Sequence, residues 1–109
     1  MLGAADKRDT ADLRESPALA LLSRLDRAGA VVASHDPHVP RIGSGRHYRL
    51  DLRSVALTAE ALAAADAVVI VTDHGAVDDA FVVRHARLVV DTRNATRLVA
   101  EGREKIVKA

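Results

Sequence analysis

The stretch Ala67-Val68-Val69-Ile70-Val71 is an uninterrupted apolar run, and residues 30–34 and 87–90 form two further runs of the same kind. A strand with one face in water alternates apolar and polar residues, whereas these runs are apolar at successive positions. Such continuity is typical of parallel strands that are covered on both faces. The three runs therefore predict strands of a parallel sheet.

Helical patterns fill the intervals between these predicted strands. Ser16 is placed to cap the first helix, and Pro17 occupies the first helical position, where its missing N–H costs nothing. Thr58 is placed to cap the second helix in the same way. The predicted helices span residues 17–28, 58 to about 65, and 78 or 79 to 85. Strand alternating with helix predicts right-handed βαβ units, and hence an α/β three-layer sandwich with a mainly parallel, Rossmann-like sheet.

Two regions are less regular. Residues 38–53 contain Pro40, Gly43 and Gly45 and are interpreted as an excursion with a small hairpin near residues 48–52. The second is residues 94–102, which lead to a last short run at residues 105–107 that is predicted to be an edge strand.

The composition is that of an ordinary globular domain. Apolar residues make up 49% of the sequence and charged residues 28%, and 109 residues correspond to one domain. The net charge of +1 gives no reason to expect nucleic acid or an anionic membrane as a partner. Cysteine is absent, which excludes disulfides, a thiolate nucleophile and a Cys-type zinc site within these residues. Because no apolar run has membrane-spanning length and no signal peptide opens the sequence, the predicted location is cytoplasmic.

Charged side chains follow the predicted strands, at the edge where open parallel sheets bind ligands. The run Lys7-Arg8-Asp9-Thr10-Ala11-Asp12-Leu13-Arg14-Glu15-Ser16-Pro17 places cations near the positive end of the first helix, a position that suits phosphate. A solvated loop that only connects two elements is the alternative interpretation of this run. The side chains expected to converge on one edge of the sheet are Lys7, Arg14, His35, Asp36, Asp73, His74, Asp91 and Arg93.

Four motifs in this order resemble one known family. They are the run from Lys7 to Pro17, Asp36-Pro37, Thr72-Asp73-His74, and Val90-Asp91-Thr92-Arg93-Asn94. In order and intervals they are similar to the C-terminal, nucleotide-sugar-binding domain of the UDP-glucose/GDP-mannose dehydrogenases, over nearly the full chain from residue 2 to residue 108. The ending from Asp91 to Asn94 looks more like the UDP-N-acetylmannosamine or UDP-N-acetylglucosamine dehydrogenases than the UDP-glucose enzymes.

The resemblance implies roles for three cationic side chains. Lys7 matches the lysine that contacts the nucleotide sugar, and Arg93 matches the arginine of an Asp-x-Arg motif that also reaches the substrate. Arg14 matches an arginine that reaches across the domain cleft towards NAD on the N-terminal domain. A fixed cation and a guanidinium fork suit a pyrophosphate or a cluster of sugar hydroxyls. The alternative for Arg93 is a surface cation near a strand end, and for Arg14 a structural pair with a nearby carboxylate.

The chain also departs from what the family implies. Family members oxidise a sugar CH2OH to a carboxylate in two hydride transfers to NAD, through a catalytic cysteine, and carry an NAD-binding domain and a central dimerisation domain. This sequence has no cysteine and no G-x-G-x-x-G. Residues 1–109 are therefore predicted to be the UDP-binding domain alone, unable to run that reaction by itself and with no catalytic residue or metal ligand.

Two departures concern the N-terminal segment. Only Met1 and Leu2 precede Gly3, so the first strand is shorter than the family's, as expected for a piece of a longer protein. Asp6 stands where the family usually has an aromatic residue, and its carboxylate would repel substrate phosphates and could pair with Lys7.

Two other functions remain open from the sequence. One is a stand-alone, non-catalytic nucleotide-sugar-binding or interaction module, which could also complement a separate N-terminal dehydrogenase half. The other is a Mg²⁺-dependent phosphoacceptor domain that uses Asp36, Asp73 and Asp91. The adjacent pair of acids that such a pocket usually has is missing, and aspartates at strand ends more often cap the following helix or turn.

A zinc or iron site is a further alternative. His35, His38 and His74, together with Asp36, could lie near one another after the strands. The spacing of His35 and His38 is not a recognised ligand spacing, so solvated or capping histidines are the favoured interpretation.

Overall fold

A computed structural model gives the fold and describes residues 1–3, 17–37, 41–42 and 52–109. The described elements, in chain order, are α1 (Pro17–Arg27), β1 (Arg41–Ile42), β2 (Leu52–Arg53), α2 (Ala59–Ala64), β3 (Val68–Ile70), α3 (Asp79–His85), β4 (Val89–Asp91), a 3-10 turn (Arg103–Lys105) and β5 (Ile106–Lys108). All three predicted helices are present, with ends that differ from the prediction by one or two residues at most.

The main sheet is parallel and has the order β3-β4-β5. Isolated parallel bridges extend it beyond β3, from Leu2 to Ile70, from Leu2 to His35 and from Ser34 to Ser54. Numbered by position in the chain, with Leu2 as the first segment, residues 34–35 as the second and Ser54 as the third, the segments follow the order 3-2-1-4-5-6. That is the order of a doubly wound sheet. The predicted Rossmann-like α/β fold is confirmed.

The excursion before α2 contains a small antiparallel pair. β1 pairs with β2, with Arg41 opposite Arg53 and Ile42 opposite Leu52. The residues between these strands, where the sequence predicts the hairpin turn, lie outside the described residues.

The core lies between the sheet and the two helices α2 and α3. It is formed by buried aliphatic side chains, among them Leu62 of α2, Val82 and Val83 of α3, and Val68, Ile70 and Val89 of the sheet. A six-residue helix such as α2 is too short to be stable alone, so its packing against this core must stabilise it. Leu22 of α1 is fully buried and lies outside this cluster.

The predicted cap Thr58 forms at α2, Asp78 caps α3, and the predicted cap Ser16 lies outside the described residues. The Thr58 Oγ1 accepts the backbone N–H of Ala61 at 3.1 Å, and the Asp78 carboxylate accepts that of Phe81 at 3.2 Å. Each bond satisfies an N–H group that has no partner within the first turn of its helix.

The predicted strand at residues 30–34 is wrong in extent, because only Ser34 and His35 are paired within the sheet. Val31 is fully exposed instead of buried. The partner segments account for the difference: Leu2 pairs with His35 and Ser54 with Ser34, and among the described residues no bridge reaches further back along the run. Smaller shifts occur at β4, which runs on to Asp91, and at β5, which ends at Lys108.

Candidate functional site

The order of the sheet reverses beside Leu2, because the chain continues to residues 34–35 on one side and to β3 on the other. Doubly wound sheets hold ligands at this point, outside the carboxyl ends of the strands. Gly3 follows Leu2 there with a positive φ of 90°, and a Cβ at Gly3 would lie 2.5 Å from the Thr72 Cβ and 3.0 Å from its backbone nitrogen. Only glycine fits, so the backbone after Leu2 and the backbone after β3 approach closely at this point.

A buried hydrogen-bonded pair connects the loops on the two sides of Leu2. The His74 Nε2 lies 2.9 Å from the Asp36 Oδ2, and the two side chains are 0% and 2% exposed. Because an ionised carboxylate only accepts hydrogen bonds, Nε2 carries the proton and donates it. His35 points to a different partner, since its Nδ1 lies 2.7 Å from the Val55 carbonyl oxygen.

Asp91 anchors the turn that follows β4. Its Oδ1 accepts the backbone N–H groups of Arg93 at 3.0 Å and Ala95 at 3.1 Å. Its Oδ2 accepts the Thr96 N–H at 2.9 Å, the Thr96 hydroxyl at 2.6 Å and the Lys108 ammonium at 3.0 Å. Burial is the largest influence on the pKa of Asp91 and would raise it, but the hydrogen bonds from Thr96, Lys108 and Arg93 outweigh burial and lower the pKa below its ordinary range. The buried carboxylate therefore stays ionised.

This anchored turn carries Arg93 at the carboxyl edge of the sheet. The side chain of Arg93 is exposed, and Asn94 beside it has a positive φ of 56°. Asparagine tolerates this left-handed conformation better than most residues. The prediction that strand-end aspartates cap the following turn is confirmed for Asp91.

Arg97 connects the same turn to the loop after β3. Its Nη1 donates to the Asp73 Oδ2 at 3.2 Å and to the Asn94 carbonyl oxygen at 3.1 Å. Sequence reasoning missed Arg97 because it treated residues 94–102 as irregular, and it missed Lys108 because the predicted last strand ended one residue earlier. No spacing rule identifies either residue, since both contacts depend on how neighbouring strands align.

An acidic cavity of about 310 Å³ lies between the loop after β3 and the turn after β4. Its charged lining consists of Asp73, Asp78, Asp79 and Arg97, and its apolar lining includes Leu98 and Val99. Burial, followed by repulsion from Asp73, Asp91 and Asp78, raises the pKa of Asp79 to about 6, although Arg97 opposes this shift. A phosphate would be repelled by this surplus of carboxylates, so the cavity does not suit a nucleotide's phosphates.

The carboxylates that a Mg²⁺ pocket would use are engaged with protein cations or histidine. Asp36 pairs with His74, Asp73 with Arg97, and Asp91 with Lys108. Within the described ranges, no group of three or more His, Asp or Glu side chains is arranged to hold a metal ion. His38, a member of the alternative zinc or iron site, lies outside the described residues.

Of the three side chains with implied ligand contacts, the structure places Arg93, at the exposed turn after β4. Lys7 and Arg14 lie outside the described residues, and the roles of all three remain predictions. Among the helices that the structure describes, none is long and apolar enough to cross a membrane.

Comparison with known proteins agrees with this architecture. A sequence profile of the UDP-glucose/GDP-mannose dehydrogenase family, UDP binding domain, matches residues 1–98. The chain is also similar to the UDP-glucose 6-dehydrogenase AglM of Haloferax volcanii, with 38% identity over 96 residues that cover 85% of this chain and 22% of the relative. No solved structure matches significantly. The chain therefore belongs to the UDP-glucose/GDP-mannose dehydrogenase family, as its UDP binding domain.

Proposed function

We propose that this chain binds a UDP-sugar at the carboxyl edge of its sheet, as the substrate-binding part of an NAD-dependent nucleotide-sugar 6-dehydrogenase. The observation that carries the proposal is the turn after β4, where a buried, ionised Asp91 fixes the backbone on which the exposed Arg93 stands. Family membership supplies the ligand class, and the turn supplies a rigid place for a cation.

The chemistry of the turn suits a pyrophosphate. A guanidinium offers paired N–H donors in a plane, which matches two phosphate oxygens and gives short, charge-assisted bonds. The Asp91 carboxylate accepts two backbone N–H groups on one oxygen and a third on the other, so the turn is ordered before a ligand arrives. We assign the second ligand cation to Lys7, in the segment that follows Gly3 at the point where the sheet order reverses.

The acidic cavity indicates where along this edge phosphate does not bind. Arg97 is tied to Asp73 and Asn94 and so acts as a link between two loops. The carboxylates around it disfavour phosphate on that side. Phosphate binding is therefore assigned to Arg93 and not to the cavity around Arg97.

The residues of this chain do not fit an NAD site by themselves. The 109 residues contain neither a cysteine nor the G-x-G-x-x-G turn that cradles a dinucleotide pyrophosphate. Since the chain spans only 22% of the length of its relative, we propose that NAD is held by a dehydrogenase half outside this sequence, with Arg14 contacting it across the cleft. The part played by the present chain is then to bind and orient the nucleotide sugar.

Isothermal titration of the chain with UDP-glucose and UDP-N-acetylglucosamine tests this function, with Arg93→Ala as the diagnostic variant. Loss of a charge-assisted bond worth about 1.5–3 kcal/mol predicts an affinity about 10- to 100-fold weaker. The matched control is Arg87→Ala, because Arg87 is also exposed but precedes β4, at the opposite edge of the sheet. Arg87→Ala should leave the affinity unchanged.

Two results would contradict the proposal in different ways. Equal affinities for the wild type and Arg93→Ala would remove Arg93 from the site. A cooperatively folded wild type that binds neither UDP-sugar would reject the function itself and favour the non-catalytic interaction module. The ratio of the wild-type affinities for UDP-N-acetylglucosamine and UDP-glucose also tests the N-acetylhexosamine preference suggested by the residues from Asp91 to Asn94.

A further inference from the structure

We infer that Lys108 is a positioning residue for the ligand contact of Arg93, an inference that rests on the proposed UDP-sugar site. Its ammonium donates to the Asn94 Oδ1 at 2.8 Å, the Thr96 Oγ1 at 2.9 Å and the Asp91 Oδ2 at 3.0 Å. An ammonium has three N–H groups, and three acceptors of one turn meet them. In the sequence, Arg93 lies between two of these acceptor residues, Asp91 and Asn94.

The sheet fixes the place of Lys108. β5 pairs with β4 in a register that sets Lys108 beside Asp91, and the next backbone N–H, of Ala109, donates to the Asp91 carbonyl at 3.1 Å. The lysine therefore reaches the turn from a neighbouring strand and not from the turn itself. The family profile matches residues 1–98, so Lys108 lies outside the matched residues.

Among the described residues, only Lys108 donates a hydrogen bond to the Asn94 Oδ1. Asp91 keeps the hydrogen bonds from Thr96 and from the backbone of Arg93 and Ala95 when Lys108 is removed. The side chain of Asn94, which follows Arg93 in a left-handed conformation, loses its tie to β5. Removing the ammonium should therefore release the Asn94 side chain next to Arg93, while the Asn94 carbonyl keeps its bond from Arg97.

Lys105 provides a matched control on the same segment. Its ammonium donates to the carbonyl oxygens of Val83 and Arg84, both at 3.1 Å, and so caps the end of α3. Those contacts stabilise a helix terminus but do not touch the turn after β4. A lysine-to-methionine change at residue 105 removes the same charge from the same segment and spares the turn.

The test is a double-mutant cycle of Lys108→Met and Arg93→Ala, followed by calorimetric titration of the chain with UDP-glucose. Lys108→Met should weaken binding by about fivefold to tenfold, since misplacing a binding group can cost up to about 100-fold. The double variant should bind no more weakly than Arg93→Ala alone, because Lys108 acts through Arg93. Lys105→Met should lower the unfolding temperature and leave the affinity unchanged.

The cycle separates the inference from the function on which it rests. If Arg93→Ala weakens binding but Lys108→Met does not, the inference is wrong and the function stands. If the two effects multiply, Lys108 acts independently of Arg93, and the inference is also wrong. If Arg93→Ala has no effect, the proposed site falls and the inference falls with it. Should Lys108→Met fail to fold, Lys108→Gln, which keeps an N–H donor without the charge, replaces it in the same cycle with a smaller expected loss.

Discussion

Replacing Asp79 by asparagine changes the balance of charge in the acidic cavity. Asp79 opens α3, a position where the helix dipole favours a negative charge by about 0.5 kcal/mol. Burial, and then the carboxylates of Asp73, Asp91 and Asp78, act in the opposite direction and raise the pKa of Asp79 to about 6. The asparagine variant therefore decides which influence is larger.

The expected gain follows from the difference between the ordinary pKa of 3.8 and the value of about 6. In full, that difference corresponds to about 3 kcal/mol of lost stability at neutral pH. The side chain is only half-buried, so solvent screening reduces the usable part to about 1 kcal/mol. This exceeds the helix-dipole contribution by about 0.5 kcal/mol, so Asp79→Asn should stabilise the fold and raise the unfolding temperature at pH 7.5 by about 2–4 °C.

The raised pKa of Asp79 determines how the effect of the substitution on stability depends on pH. Between pH 3.8 and about 6 the folded state holds the Asp79 proton more tightly than the unfolded state does. Stability contributed by this group is therefore lost as the pH rises through that window and is constant above it. The advantage of Asp79→Asn should accordingly be small near pH 4, grow up to about pH 6 and then level off.

Thermal unfolding of both proteins between pH 4 and pH 8 measures this profile. The control is Asp66→Asn, which makes the same change at a fully exposed carboxylate and should shift the unfolding temperature little at any pH. A lower unfolding temperature for Asp79→Asn at pH 7.5 would show that the helix dipole outweighs burial and repulsion, and would refute the reasoning.

Two further variants test the carboxyl edge. Gly3→Ala should lower the free energy of unfolding, measured by urea denaturation, by about 3 kcal/mol, because it adds a clash with Thr72 to the strain of a positive φ. Gly29 has φ 94° and nothing within 4 Å of an added Cβ, so Gly29→Ala should cost only about 1 kcal/mol. Similar losses at both sites would contradict the close approach of Gly3 and Thr72. Asp91→Asn should cost about 3 kcal/mol at pH 7. Because the partners of Asp91 lower its pKa, this loss of stability should shrink as the pH falls below 3.8. Chemical denaturation at a series of pH values measures it, and a loss that does not change with pH would exclude a role for the charge of Asp91.

Local features of the fold could be predicted from the sequence because they depend on neighbouring residues alone. Thr58 caps α2 through a backbone N–H group three residues away, and a threonine just before a helical pattern is a signal that the sequence itself carries. The extent of a strand depends on its partner, however. Residues 30–33 have a strand-like composition, and yet the bridges to Leu2 and Ser54 reach only His35 and Ser34.

The same limit applies to the site. The turn anchored by Asp91 is local and was predictable as a cap, and Arg93 within it was identified through the family's motif. The Asp36–His74 pair joins residues 38 positions apart, and Lys108 reaches Asp91 across 17 positions. Both contacts require the order and register of the sheet, which composition and spacing do not determine.

Polar contacts join loops along the described part of the carboxyl edge of this sheet. Each contact joins two segments that follow adjacent strands, or strands with one other strand between them. They are Asp36 with His74, Asp73 with Arg97, and Asp91 with Lys108. The strands beneath are at most three residues long, and aromatic residues make up 2% of the sequence, so apolar packing alone offers little to hold the loops.

This arrangement has a consequence for binding. Loops that are already tied to one another lose little conformational entropy when a ligand arrives, so more of the contact energy appears as affinity. Arg97 is the central link, since it joins the loop after β3 to the turn that carries Arg93. Because its guanidinium is half-exposed, salt weakens this link more than the buried pair of Asp36 and His74. UDP-sugar affinity should therefore fall with ionic strength through the loosening of the turn as well as through screening of the ligand's own charge.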